Sequence, residues 1–254
     1  AKLNVVVGGL AKQFCGATVI GERWLLTAQH CVDSSTQFTI AVDTTNDNAI
    51  DFAAEHPRSY AAKVLRQDIA IIELDQPLIF SRDLQPICLR DVDDVFRYRN
   101  TSMKALGYGR VTPSMMNNAD DRFPARLQEL DITVEQPVEC AWIMYEGFKI
   151  YSKKRPKTKI SRSRMITILR HIAERQMICA KHRGEVKGLC GGDSGGPLMK
   201  LAADGRWFLY GVAEGGVGAC GSPTGSSLFV DITRQCEFIS NATRGEVDCI
   251  EASD

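Results

Sequence analysis

The sequence predicts an all-β fold, and three observations carry that prediction. Short apolar runs rich in β-branched or aromatic residues recur along the chain. Gly, Asp, Asn or Pro bound most of them. The chain has 254 residues, 44% of them hydrophobic, enough to bury a sizeable core in one large domain or two small ones. In chain order the strand candidates are Val5-Val6-Val7, Ala17-Thr18-Val19-Ile20, Trp24-Leu25-Leu26, Phe38-Thr39-Ile40 and Ile69-Ala70-Ile71-Ile72. Leu130-Asp131-Ile132-Thr133-Val134 and Trp207-Phe208-Leu209-Tyr210 follow in the second half. Strands this short, at this spacing, suit antiparallel barrels or a sandwich.

Two segments depart from the rhythm. From Lys149 to Arg175 ten Lys or Arg face a single acid, Glu174. Met165, Ile168, Leu169 and Ile172 fall there at helical spacing, with Arg164, Arg170 and Arg175 left for the other face, so a short amphipathic helix is expected after a basic loop. The tail from Thr233 to Ala242 is also expected to be helical, with Phe238 and Ile239 sharing a face near Ile232 and Gln235.

Charge and cysteine content narrow the function classes. With 31 basic and 31 acidic residues the chain needs no polyelectrolyte partner, which argues against nucleic acid. No run approaches the ~18 apolar residues of a membrane-spanning helix. The start, Ala1-Lys2-Leu3-Asn4, lacks the succession of a secretion signal, so any such signal is expected outside this chain. Nine cysteines spread along the chain, without metal-type C-x-x-C pairs, point to disulfides in an extracellular setting. Their odd number requires a free thiol or a bond to a segment or partner outside the chain. Sequons at Asn100 and Asn241 are candidate glycosylation sites. No metal or cofactor is expected.

The chemistry concentrates in Cys190-Gly191-Gly192-Asp193-Ser194-Gly195-Gly196-Pro197-Leu198. Glycines around a serine permit a tight turn and close approach of a substrate backbone. Such a turn can aim amide N–H groups at one point, and each donor aimed at a developing oxyanion lowers the barrier by about 3 to 4 kcal/mol. Gly192 and Ser194 are the candidate donors. A serine hydroxyl needs a base with a pKa near 7, and of the four histidines His56, His171 and His182 stand in polar or basic surroundings. His30 instead follows the apolar run in Leu25-Leu26-Thr27-Ala28-Gln29-His30-Cys31. The third role, a carboxylate that fixes the imidazole tautomer, falls to Asp68 at the lip of Ile69-Ala70-Ile71-Ile72.

In this order, Thr27-Ala28-Gln29-His30-Cys31, Asp68-Ile69-Ala70 and Gly192 to Pro197 resemble the trypsin/chymotrypsin family of serine proteases. Phe14-Cys15-Gly16, Pro86-Ile87-Cys88-Leu89, Gly107-Tyr108-Gly109 and Met177-Ile178-Cys179-Ala180 resemble further landmarks of the family. The resemblance covers most of the chain. It implies a single peptidase domain of two packed six-stranded antiparallel barrels, at about residues 1–95 and 100–232. A C-terminal helix and tail would fill residues 233–254, and a basic insertion about residues 145–176. It also implies a secreted serine endopeptidase acting on proteins or peptides, with Ser194 as nucleophile, His30 as base and Asp68 as its orienter. The alternative is a catalytically silent, protease-like binding module. An α/β-hydrolase would present its triad as Ser, acid, His, and here the order is His, Asp, Ser.

The same likeness implies disulfides Cys15–Cys31, Cys140–Cys179 and Cys190–Cys220, with Cys88–Cys236 as a guess and Cys249 left over. Met103 and Lys200 stand where most relatives place a bonded cysteine pair. Gly188 stands where trypsin-like relatives carry an aspartate at the base of the primary pocket, so cleavage after apolar residues is expected. In the substrate-binding strand Ala213-Glu214-Gly215-Gly216 replaces Ser-Trp-Gly, so Glu214 and Gly216 would border the substrate. Glu214 would lie near Asp68 and His30 and raise the histidine pKa by its charge, or face solvent if the register slips by one. The basic insertion, with Lys153, Lys154 and Arg155, would take an acidic partner or a sulfated glycan.

Activation follows from Asp193, which in relatives folds inward to pair with the ammonium freed when a zymogen is cut. Val6-Val7-Gly8-Gly9 imitates that terminus but stands too close to Phe14-Cys15-Gly16, and is expected to belong to the first barrel strand. Without an ammonium partner, or a Lys or Arg from the insertion in its place, the Asp193 turn is expected to swing outward and leave the chain weakly active.

Overall fold

The computed structural model describes residues 1–7, 10–32, 38–42, 50–52, 58–61, 68–91, 98–111, 123–124, 126–136, 139, 141–142, 145, 163, 166, 170, 177–182, 187–217 and 226–251. The chain is all-β with a C-terminal helix, as expected.

In the first half, strands β1 (Lys2–Val7), β2 (Leu10–Gly16), β5 (Phe38–Val42) and β6 (Ile50–Phe52) form one sheet in the order β2-β1-β5-β6. Strands β3 (Thr18–Val19), β4 (Trp24–Thr27), β7 (Arg58–Ala61) and β8 (Ala70–Glu73) form a second, in the order β3-β4-β8-β7. Only Ala17 separates β2 from β3, so one length of chain leaves the first sheet and enters the second, the device by which a barrel turns a corner. Ile40, Leu25, Leu26 and Ile69 to Ile72 are wholly buried at the centre of this half.

The second half closes completely. Strands β10 (Ser102–Gly107), β11 (Gln128–Val134), β12 (Met177–Lys181), β15 (Ser226–Asp231), β14 (Trp207–Val217) and β13 (Pro197–Leu201) pair antiparallel in that order, and β13 returns to β10. Met103, Ala105, Ile132 and Val134 point into its core by strict alternation, whereas Met177 to Ala180 and the whole of β15 are buried on both faces. Strand β9 (Cys88–Arg90) joins β14 in parallel, and β16 (Cys249–Ile250) joins β9.

A 3₁₀ turn at Ile232–Arg234 leads to helix α1 (Cys236–Ala242). Ile232, Gln235 and Ile239 are buried and Phe238 packs beside them, the face expected from the tail. The N-cap of the turn is Asp231, whose carboxylate accepts from the N–H and the hydroxyl of Thr233 at 3.1 and 2.7 Å. Lys104 pairs with Met199 across β10 and β13, and one step along the same register Met103 lies opposite Lys200. The two residues expected to replace a cysteine pair are therefore neighbours. Met103 is buried, and the Lys200 ammonium lies 5.0 Å from the Tyr98 ring centroid.

The guess that Cys88 bonds Cys236 is corrected. Cys236 bonds Cys249, which ties the start of α1 to β16, and Cys88 is the free cysteine among those described. The pair stands at a sequence separation of only 13, and β16 runs along β9 with Cys249 beside Leu89, which brings Cys249 rather than Cys88 to the helix.

Candidate active site

His30 and Asp68 leave the second sheet at the same end. Strands β4 and β8 are antiparallel with Thr27 opposite Ala70, so the 3₁₀ turn Gln29–Cys31 that follows β4 emerges beside the residues that precede β8. Cys15–Cys31 fixes that turn to β2, as expected. The Asp68 carboxylate holds the turn twice, accepting from the His30 backbone N–H at 2.8 Å and from the imidazole Nδ1–H at 2.5 Å. With the proton on Nδ1, the lone pair of the ring sits on Nε2, on the side away from Asp68. The His30 side chain is 43% exposed and that of Asp68 19%, so the pair stands at the floor of an open site rather than in a sealed core.

Ser194 lies in a turn made almost entirely of backbone hydrogen bonds. Asp193 N–H donates to Cys190 O at 3.1 Å, Gly196 N–H to Asp193 O at 3.0 Å, and Gly195 N–H to Ala213 O at 2.7 Å. Gly192 and Gly195 have φ of 98° and 82°, in the left-handed region that glycine adopts without penalty. A Cβ on Gly195 would stand 2.2 Å from the Gly16 carbonyl oxygen and 2.3 Å from Thr27 Oγ1. Gly16 N–H donates to Ser194 O at 2.7 Å, and Thr27 Oγ1–H donates to Gly16 O at 2.8 Å. The serine turn is thus pressed against the residues that lead into the histidine turn. Among the described residues neither the Gly192 nor the Ser194 N–H donates to another group, and both belong to the half-buried rim of the turn.

Asp193 faces inward. Its carboxylate accepts from Gly109 N–H at 2.7 Å and Cys190 N–H at 2.8 Å. Burial raises its pKa, and the two amides oppose that rise. Among the described residues these two backbone donors hold the carboxylate inward, where an outward swing had been expected. Gly107 and Gly109 leave the room, since a Cβ on either would collide with the Asp193 carboxyl.

Glu214 sits where β14 bulges, because Ala213 pairs with Phe229 and Gly215 with Leu228 on β15, which leaves Glu214 without a partner of its own. The half-buried carboxyl lies in the field of Asp68 and His30. Burial first and the Asp68 charge second push its pKa up to about 7, against the lowering effect of His30. The solvent-facing alternative for Glu214 does not hold. Gly216 is exposed at the edge beside Ser227, and Gly188 is half-buried with its carbonyl 3.5 Å from Cys190 Sγ.

Cys179 and Cys190 are both disulfide-bonded, while their expected partners Cys140 and Cys220 lie outside the described residues. Asn100 and Asn241 are exposed. The basic insertion falls largely outside the described residues, as do Met165, Ile168, Leu169 and Ile172; within it Ser163, Ile166 and Arg170 are helical and exposed. Among the described residues Cys15, His30 and Cys31 form a group with metal-ligand proximity, but the disulfide occupies both sulfurs. The sequence reading did not find the positions that brace the serine turn: Gly16, Thr27, Ala213 and the Gly109 amide. Gly-x-Gly at Gly107 to Gly109 was the available signal, two small residues placed where a carboxylate must enter.

A closed antiparallel barrel, a second β half beside it and a His–Asp pair set against a glycine-flanked serine define a chymotrypsin-like scaffold. The family model for Trypsin matches residues 2–239, and the chain belongs to the trypsin family of serine proteases. It is 27% identical over 244 residues to Transmembrane protease serine 9 of Rattus norvegicus, covering 91% of this chain and 20% of that protein. It is also 27% identical over 237 residues to Transmembrane protease serine 11G of Rattus norvegicus, covering 90% of this chain and 49% of that protein. The chain therefore spans from about a fifth to about half the length of these relatives. Among solved structures it resembles neuropsin, a serine protease expressed in the limbic system of mouse brain, with a TM-score of 0.66, 20% identity and coverage of 95% of this chain and 93% of that one. No helix among the described residues is long and apolar enough to cross a membrane.

Proposed function

We propose that the chain is a serine endopeptidase that hydrolyses peptide bonds through an acyl-enzyme. The observation that carries this reading is the bidentate grip of Asp68 on His30 at the end of β4, directly beside the Ser194 turn. His30 Nε2 takes the proton from Ser194 Oγ as that oxygen bonds to the scissile carbonyl carbon. The carbonyl oxygen becomes an oxyanion between the Gly192 and Ser194 amides. The imidazolium then gives its proton to the leaving amine, the C–N bond breaks, and water repeats the sequence to release the acid and restore Ser194. Asp68 keeps the Nδ1–H tautomer and balances the imidazolium charge.

The finer reading is of one peptidase domain over residues 1–254, acting on protein or peptide substrates outside the cell. Disulfides, and sequons at exposed Asn100 and Asn241, favour the extracellular setting. Inward-facing Asp193 is the activation-linked residue of a zymogen family. The basic insertion is a candidate exosite for an acidic partner or sulfated glycan, with no nucleic acid or membrane partner and no metal or cofactor. Gly188 offers no carboxylate to a basic side chain, and Gly215 and Gly216 leave the substrate strand bare, so cleavage follows apolar residues. Labelling by a fluorophosphonate probe tests the chemistry. The chain should be labelled and Ser194→Ala should not, while a folded chain that resists the probe would establish the silent binding module instead. Peptide-library profiling tests the pocket, and a dominant preference for Lys or Arg would sink the apolar assignment.

A further inference from the structure

Glu214 is the acid in the site that the triad chemistry does not use. Its backbone neighbours fix where it stands: Ala213 N–H donates to Gly196 O at 2.8 Å and Ala213 O accepts from Gly195 N–H at 2.7 Å, so the residue before Glu214 is bonded to the serine turn on both sides. The residues after it, Gly215 and Gly216, carry no side chain and pair with Leu228 and Ser227. The bulge between them releases Glu214 from the ladder, so that its half-buried carboxyl bears on Asp68 and His30, residues contributed by the first half of the molecule. The other charged group of the serine turn, Asp193, is turned to the amides of Gly109 and Cys190. On β15 Phe229 and Leu228 stand opposite the bulge, with Ser227 and Ser226 next along the ladder, none of them charged. Among the described residues Glu214 thus shares its surroundings with one carboxylate and one imidazole, and no cation other than His30 answers it.

We propose that Glu214 is a positioning residue of the catalytic machinery, a second carboxyl whose charge governs how firmly His30 holds its proton. This rests on the serine-peptidase reading above. When Glu214 is neutral, Asp68 alone balances an imidazolium at His30; when it is ionised, two negative charges do so and the base gives up its proton at higher pH. Its ionisation near neutrality falls in the window in which a histidine base must become neutral to act. The titration of Glu214 therefore couples to that of His30, and the reactivity of Ser194 should rise with pH more gradually than a lone imidazole allows.

The experiment is the rate of Ser194 labelling by a fluorophosphonate probe as a function of pH, for the chain and for Glu214→Gln and Glu214→Asp. Removing the charge should move the midpoint of the rise to lower pH by about one unit, and aspartate should restore it most of the way. A residue that merely fills space would change the plateau rate or the stability and leave the midpoint where it was. Coincident midpoints for the chain and Glu214→Gln overturn the proposal while leaving the peptidase reading intact. Absence of labelling at every pH overturns the peptidase reading, and this inference with it. Should Glu214→Gln fail to fold, the His30 ring resonances of the unsubstituted chain, followed by NMR through the same range, decide: two coupled steps are expected, and one simple step refutes the coupling.

Discussion

The loop that carries His30 and the turn that carries Ser194 meet in one site but are held by different means. The His30 side is built from side chains: a carboxylate that bonds both ring and backbone, and a disulfide to β2. The Ser194 side is built mainly from backbone: amide hydrogen bonds along the turn and two glycines at positive φ, packed where a Cβ would strike Gly16, Thr27 or Phe123, with the Asp193 carboxylate on two further amides as its one side-chain brace among those described. Side chains can be exchanged one at a time and their contributions titrated. Backbone packing tolerates no addition. Under the proposed mechanism the nucleophile is therefore the rigidly held group, and the base the one that neighbours such as Glu214 would tune.

The largest effect expected from this contrast is on the base. Asp68→Asn keeps the shape but removes the charge and turns an acceptor into a donor at the oxygen that faces Nδ1–H, so His30 should adopt the wrong tautomer. Turnover should fall about 10⁴-fold with little loss of stability, as judged by kcat and urea unfolding. A fall in stability that matched the loss of rate would mean that Asp68 supports the fold more than the base.

On the serine side the prediction is the reverse, with folding damaged first. Gly195→Ala adds a Cβ at 2.2 Å from Gly16 O on a residue at φ 82°, and should cost about 4 kcal/mol from the left-handed backbone and the overpacking together. Gly205 has the same φ of 82° with nothing within 4 Å of its added Cβ, so Gly205→Ala should cost only the backbone share, about 1 kcal/mol. Equal losses for the two variants in urea titration would show that conformation, not packing, demands glycine in the serine turn.

Replacing Cys15 and Cys31 together by serine opens a loop with a sequence separation of 16 and should cost about 3 kcal/mol. The loss should fall on the His30 loop. Hydrogen exchange would then quicken at Val32 and at the amide of position 31 while the Gly195 and Ala213 amides keep their protection. Faster exchange at both places would mean that the two sides share one support.

The residues of the proposed triad could be picked out because each stands in a short motif whose chemistry needs those residue types: Thr27 to Cys31, Asp68 to Ala70 and Gly192 to Pro197. The apolar strands were legible for the same local reason, and β4, β8, β11 and β14 fall on the runs that predicted them. Strand β7, Arg-Ser-Tyr-Ala, and strand β2, with Lys12 and Gln13 in its middle, carry no such pattern, because neighbouring strands rather than their own composition hold them extended. The bulge at Glu214 depends on how β15 counts against β14, and no property of either segment alone records it. The Cys236–Cys249 bond is of the same kind: three cysteines without landmark partners allow several pairings, and the parallel placement of β16 on β9 selects one.

The last effect expected is on the pH dependence of stability, and it isolates Glu214 from the rest. Its carboxyl titrates at about 7 in the folded chain against an ordinary 4.5, so between those values the native state holds a proton that the unfolded chain has released. A raised carboxyl pKa contributes stability that is fully present below about 4.5 and is lost as the pH climbs through about 7. A tenfold difference in proton affinity between the folded and unfolded chain corresponds to about 1.4 kcal/mol, and partial exposure of the group brings the whole to about 2 kcal/mol after screening. The chain should therefore lose about that much more stability between acid and neutral pH than Glu214→Gln, which has no proton to exchange. Paired urea titrations across that range would measure the difference directly. Asp193, raised by burial in the same direction, is common to both proteins and cancels between them. Parallel pH profiles for the two would mean that Glu214 ionises as freely in the folded chain as in the unfolded one. The bulge would then present the carboxyl to water and not to Asp68, and the tuning of the base side would have to come from elsewhere.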